Sequence, residues 1–206
     1  AGVQRLGWRG GRALEPGIGT GLFPALMPEA LCDVTHVTGV ELDPVTARIA
    51  RLLQPRARIV AGDFARTELP ARFDLVVGNP PFSDRTVSSD RALRSLGLRL
   101  HDYFIVKAIR LLKPGALAAF VTSHGTMDKA DSGAREEIAK HADLIGAIRL
   151  PEGSFRADAG TDVDAVVAPV PSFSTHSRSA PREIPRSAAI AFNVAPGVDS
   201  YKSTAR

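Results

Sequence analysis

The stretch Ala13–Gly21 reads ALEPGIGTG, with Gly17, Gly19 and Gly21 at alternate positions directly behind a short apolar segment. Glycines in this rhythm let a chain turn sharply out of a strand and into a helix. The stretch therefore predicts a strand near Arg12–Glu15, a tight loop, and a helix near Leu22–Leu31. In α/β proteins such a loop lies at the carboxyl end of a parallel sheet, where ligands bind. The glycines alone are also compatible with a plain strand-to-helix turn, so the surrounding residues have to decide.

Working outward, short runs rich in Val, Ala and Ile alternate with helical patterns. Strands are predicted near His36–Leu42, Arg58–Ala61, Phe73–Gly78, Ala116–Thr122 and Leu144–Leu150, and helices near Pro44–Leu53, Arg99–Leu112 and Ser132–His141. Pro44 suits a first helical turn, where a missing N–H costs nothing, and Asp43 before it is an N-cap candidate. Pro114-Gly115 closes the helix that precedes it. The alternation predicts an α/β fold, a Rossmann-like and mostly parallel sheet with helices on both faces. From Pro169 the composition turns to Ser, Pro and Ala without a helical or strand period. The predicted organisation is one domain over residues 1–168 and an irregular tail over residues 169–206.

Two details sharpen the glycine loop. A dinucleotide fingerprint needs its third glycine at position 22, which is Leu22, so the spacing falls one residue short. Glu15 sits at the mouth of the loop, where a carboxylate repels a pyrophosphate and favours a cationic ligand. S-adenosyl-L-methionine carries a sulfonium and an amino group and no phosphate, and suits the loop better than a nicotinamide cofactor. Glu41 ends the next strand 20 residues past Gly21, the spacing at which a carboxylate reaches ribose hydroxyls in such folds. Asp63 ends the following strand and is placed to accept from an adenine amino group, with Phe64 against the ring.

The fourth strand runs into DLVVGNPPF, Asp74–Phe82. Asn79 arrives at the same sheet edge as Glu15, Glu41 and Asp63. Pro80 lacks an N–H and restricts Asn79 to extended conformations, holding its amide outward. Phe82 offers a flat face for stacking a base. An amide oxygen and a carbonyl converging beside an aromatic ring suit a planar group that carries NH₂. Accepting both of its hydrogens favours the pyramidal, nucleophilic nitrogen and stabilises the charge that develops there. The predicted catalytic residues are Asn79, Pro80, Pro81 and Phe82, with no metal required.

With these motifs in order, the sequence resembles the class I S-adenosylmethionine-dependent methyltransferases that modify exocyclic amino groups, in particular the adenine-N6 DNA methyltransferases. The matching segments are LEPGIGTG, VELD, GDF and NPPF. A longer likeness over Leu6–Val163 includes HDYFIVKAIRLLKPGALAAFVTSHGTMDK and ADLIGAIRLPEGSFRADAGTDV. It is similar to the methylase domain of large methylase–helicase proteins of phages and plasmids. The resemblance implies that Glu15, Gly17, Gly19 and Gly21 contact the methionine half of the cofactor, Glu41 its ribose and Asp63 its adenine. It implies DNA as partner, with a flipped adenine at Asn79, Pro80 and Phe82, Pro81 shaping the loop, and a helicase or recognition domain in a longer parent. The family pattern includes a helix upstream of the glycine-loop strand and a further strand past Val163. Neither is evident, so the fold is expected to be truncated at both ends. A truncated methylase that binds cofactor or nucleic acid without turnover stays open as an alternative. So does methylation of an RNA base or a protein glutamine.

Composition narrows the setting. Cys32 is the only cysteine, which excludes an internal disulfide and a thiolate cluster and points to the cytoplasm. No run approaches the roughly 18 apolar residues of a spanning helix, so no membrane partner is expected. The net charge of +4 says little about nucleic acid, because residues 1–165 carry 21 basic against 20 acidic side chains. Arg85, Arg91 and Arg94 in the loop Ser83–Gly97 are candidates for phosphate contacts. His101-Asp102 reads as a helix-terminal pair without a catalytic role, Cys32 as a small core residue, and His124 as a candidate lining of the base site.

Overall fold

The computed structural model describes residues 2–70, 72–123, 126, 129–148 and 187–193. Seven strands form one sheet in the order β3-β2-β1-β4-β5-β7-β6. They are β1 Gly11–Pro16, β2 Thr35–Glu41, β3 Arg58–Ala61, β4 Phe73–Gly78, β5 Leu112–Ser123, β6 Asp143–Ile148 and β7 Ser187–Asn193. The helices are α1 Gly2–Arg5, α2 Leu22–Ala25, α3 Glu29–Cys32, α4 Pro44–Leu53, α5 Leu100–Arg110 and α6 Gly133–Ala139. β1 to β5 run parallel, and β7 lies antiparallel between β5 and β6.

Strand periodicity builds the two faces of the sheet. The register aligns Ala13 with Leu75 and Leu75 with Leu117. These three pack with Trp8 and Leu31 on one face, which Val3 of α1 and Leu6 just past it also join. One residue on, Leu14 aligns with Val76 and Val76 with Ala118. They face the larger cluster formed with Phe73 and Phe120 of the sheet and Tyr103, Ile105 and Ile109 of α5. Successive side chains of a strand point to opposite faces, so one apolar run feeds both cores. A third cluster of Ile18, Ala47, Ala50 and Ile59 seats α4.

Local chemistry accounts for most boundaries. Asp43 caps α4 by accepting from the Thr46 amide at 2.7 Å, with Pro44 at the first turn. The helix expected over Leu22–Leu31 is instead two short turns, α2 and α3. Pro28 precedes α3 and biases the residue before it away from helical geometry, which breaks the run. β5 begins earlier than expected and carries Pro114-Gly115 within it, with Gly115 at φ 78°.

Two readings are corrected here. The tail over residues 169–206 is not irregular throughout, because residues 187–193 form β7 inside the sheet. The further strand that seemed missing past Val163 is thus supplied from the Ser/Pro-rich region. Upstream of β1 a single helical turn, α1, stands where no helix was expected.

Candidate active site

β1 is flanked by β2 and β4, so the chain leaves it in one direction and later returns on the other side. The crevice at the carboxyl ends of β1 and β4 is the topological switch point of the sheet, where open α/β folds place ligands. Parallel pairing brings Glu15, Glu41, Asp63 and Asn79 to this edge, each at or just past the end of its own strand. The two key loops touch there. A Cβ on Gly17 would lie 3.5 Å from the Phe104 ring and 3.9 Å from Pro81 Cδ.

The glycine loop is held from β2 and α4. The Gly17 and Ile18 amides donate to the Val40 carbonyl at 2.8 and 3.0 Å. Glu41 accepts from the Gly19 amide through Oε2 and from the Asp43 amide through Oε1, both at 2.9 Å. Its carboxylate is oriented by the loop it serves, and each oxygen retains a lone pair for a further donor. Gly21 has φ 90°, and a Cβ there would come within 2.6 Å of Gln54 Cγ, whose Nε2 donates to the Gly21 carbonyl at 3.0 Å. Gly39 in β2 leaves room for the Ile18 side chain, which a Cβ would meet at 2.4 Å.

Glu15 is 3% exposed, and its Oε2 has no hydrogen-bond partner among the described residues. Burial pushes its carboxyl up to about 9, so the group is neutral near pH 7 until a cation arrives. A buried carboxyl at the strand end beside the glycine loop, with one oxygen unpartnered among the described residues, fits a cationic ligand.

Asp63 is half-buried and accepts from the Ala65 amide at 2.9 Å. Phe64 corrects the expectation placed on it. It is 2% exposed, its ring packs on Phe104 with centroids 4.9 Å apart, and the Lys107 ammonium lies 4.9 Å from its centroid. Core contacts occupy the ring and leave no open face for an adenine. Lys107 also donates to the Phe64 carbonyl at 2.6 Å and pins the loop that carries Asp63. Burial lowers the Lys107 ammonium, and Asp90 opposes that shift.

Asn79 and Pro81 are exposed at the crevice, and Pro80 is buried. Phe82 is 42% exposed and lies nearly flat on the His101 ring, with centroids 4.8 Å apart and planes 16° from parallel. His101 Nε2 is 2.6 Å from Thr122 Oγ1 on β5, and Thr122 donates on to Thr126 at 2.7 Å. Asp102 faces elsewhere and pairs with Lys129 at 2.8 Å, so His101 and Asp102 do not act as a pair. The loop after Phe82 is anchored. Thr86 bridges Arg99, Val87 and Leu93 are buried, and Asp90 accepts from the Tyr103 hydroxyl at 2.7 Å. Arg85, Arg91 and Arg94 are exposed on it. Cys32 is half-exposed instead of core, and His124 lies outside the described residues.

Comparison with known proteins agrees with this arrangement. Residues 53–154 match the family model described as Eco57I restriction-modification methylase. The type I restriction-modification methyltransferase subunit of Streptococcus thermophilus superposes over 90% of this chain and 40% of its own, with a TM-score of 0.66 at 17% identity. Its fold is that of the class I S-adenosylmethionine-dependent methyltransferases.

Among curated relatives of this chain, the Defense against restriction protein B of Escherichia phage P1 is 29% identical, covering 76% of this chain and 7% of the relative. Type II methyltransferase M.TthHB8I of Thermus thermophilus is 34% identical over 55% of this chain and 29% of its own length. A tRNA1(Val) (adenine(37)-N6)-methyltransferase of Porphyromonas gingivalis is 32% identical over 53% and 48%. The chain spans less than half the length of each of these relatives. The cofactor of the class I methyltransferases that share this fold is S-adenosyl-L-methionine, and the residues present fit it. The orphaned Glu15 carboxyl, the open space over Gly19 and the amide-held Glu41 carboxylate suit a cationic ligand with ribose hydroxyls and no phosphate.

Sequence reasoning missed Gly39, Gln54, Lys107 and the His101–Thr122 contact. An isolated glycine inside a strand pattern is a signal of close approach, so Gly39 could have been found. The other three carry no local signal. Among the described residues no group of three His, Cys, Asp or Glu side chains could hold a metal ion, and no helix is long and apolar enough to cross a membrane.

Proposed function

We propose that the protein transfers the methyl group of S-adenosyl-L-methionine to the exocyclic amino group of adenine in DNA. The observation that carries this reading is the position of Asn79-Pro80-Pro81-Phe82 at the end of β4, across the switch point from the glycine loop. The cofactor supplies a methyl group activated by its sulfonium. Glu15 and the glycine loop hold the methionine half, Glu41 the ribose and Asp63 the adenine ring edge.

The target nitrogen is a weak nucleophile because its lone pair is delocalised into the ring. Asn79 Oδ1 and the Pro80 carbonyl accept its two hydrogens, which favours the pyramidal form and stabilises the positive charge that grows on nitrogen. The Phe82 face opposite His101 stacks the extruded base. The Eco57I-type match and the likeness to a type II methyltransferase support DNA as substrate. The tRNA methyltransferase relative keeps RNA as the second reading, with the same chemistry at the amine.

The test is transfer from methyl-labelled cofactor to duplex DNA, to RNA and to a glutamine-containing peptide in parallel. Label in N6-methyladenine of DNA is expected. Label confined to RNA or peptide overturns the DNA assignment, and bound cofactor without product in any arm supports a binding role.

A further inference from the structure

The His101 ring is buried at 6% exposure, lies under Phe82 and meets Thr122 at 2.6 Å. None of these contacts serves the stability of a helix end, the role its sequence position suggested. Asp102, its neighbour, turns away to Lys129.

We propose that His101 is a positioning residue for the target-base site, fixing the plane of Phe82 by stacking and fixing its own ring on β5 through Thr122. The proposal rests on the functional reading above. Phe82 follows two prolines on a loop, and the ring stacked beneath it is in a position to define the tilt of its exposed face. A flat aromatic partner at 4.8 Å and 16° defines that tilt. The partner must itself be held against rotation, and Thr122 on β5, which donates on to Thr126 beyond the strand, supplies this. Since Phe82 is covered on the His101 side, only its opposite face can receive a base.

The ring's other nitrogen supports the assignment. Nδ1 is buried, and the Pro80 and Pro81 carbonyls lie close enough to the ring to favour its charged form, so His101 also touches the backbone of the corner that carries Phe82. Burial lowers the imidazole pKa, with the Asp102 charge opposing, so the ring is a neutral platform.

The test compares the protein with His101→Ala, His101→Phe and Thr122→Val in methylation kinetics, cofactor calorimetry and fluorescence of an oligonucleotide carrying 2-aminopurine at the target position. His101→Ala should lower kcat by roughly 10–100-fold, leave cofactor affinity within about twofold, and weaken the quenching of the extruded 2-aminopurine. His101→Phe keeps an aromatic face and should restore most of the quenching, which a purely structural role would not predict. Thr122→Val should fall between them. If a folded His101→Ala variant keeps both kcat and quenching within twofold of the parent, or a folded His101→Phe variant recovers none of the quenching that His101→Ala loses, the inference is wrong while the functional reading stands. Absence of transfer from the parent to DNA and RNA alike would remove both.

Discussion

Replacing Glu15 by Gln should stabilise the protein in the absence of cofactor, increasingly so as pH rises. The carboxyl is raised by burial from 4.5 to about 9, so between those values the folded chain retains a proton that the unfolded chain has lost. Stability then falls with rising pH, because the unfolded state binds fewer protons. One pKa unit corresponds to about 1.4 kcal/mol, so this group alone costs roughly 3 kcal/mol at pH 7 and approaches about 6 kcal/mol near pH 9. Gln keeps the shape and removes the titration. Urea denaturation of both proteins from pH 5 to pH 8 should give a difference in unfolding free energy that widens by about 1.4 kcal/mol per pH unit. Subtraction cancels the other shifted groups, among them Glu137, which is pulled down to about 2: burial raises it, but Lys140 and Arg110 outweigh that. Parallel pH profiles would show that Glu15 is already ionised in the folded chain and would refute the reasoning. With cofactor, the sign reverses. A ligand that sets an ammonium beside Glu15 should release a proton on binding, and Glu15→Gln should abolish that release and weaken affinity.

Asn79→Ala should lower kcat by ~10²–10³-fold with cofactor affinity unchanged, since its amide acts on the target nitrogen; an unaltered rate would remove the mechanism. Glu41→Ala removes the acceptor for the Gly19 and Asp43 amides, and calorimetry should show cofactor binding weakened by about 1.5–3 kcal/mol. Gly21→Ala places a Cβ at φ 90° against Gln54 and should destabilise the fold by roughly 1–2 kcal/mol, read from chemical denaturation. Phe64→Leu tests the corrected role of that ring. It should lower stability by about 1 kcal/mol while the folded protein keeps its cofactor affinity, whereas a ring that stacks adenine would lose affinity.

Local sequence was informative where local chemistry decides. β3, β4 and α4 occupy the residues predicted, because an apolar run between turn residues and an Asp-Pro helix start are short-range signals. The order of the acids and of Asn79 along successive strands was likewise legible, since parallel strands with helical crossovers bring every strand end to one edge. What escaped was long-range. Ser187–Asn193 reads SAAIAFN within a Ser/Pro-rich region, and it becomes a strand because β5 and β6 offer it two edges to pair with. Phe64 beside Asp63 looked like a ligand face, but the packing of α5 on the sheet turned it inward.

From its sequence alone, this chain was bound to make a glycine loop after its first strand and an Asn-Pro-Pro-Phe corner after its fourth. Covalent geometry at Gly, Pro and strand ends acts over a few residues, and needs nothing distant. Tertiary structure alone decided that Glu15 is buried and neutral, that Phe64 belongs to the core, and that a histidine 19 residues beyond Phe82 lies beneath its ring. Those outcomes depend on which surfaces exclude water together, a property of the packed sheet and of no single stretch within it.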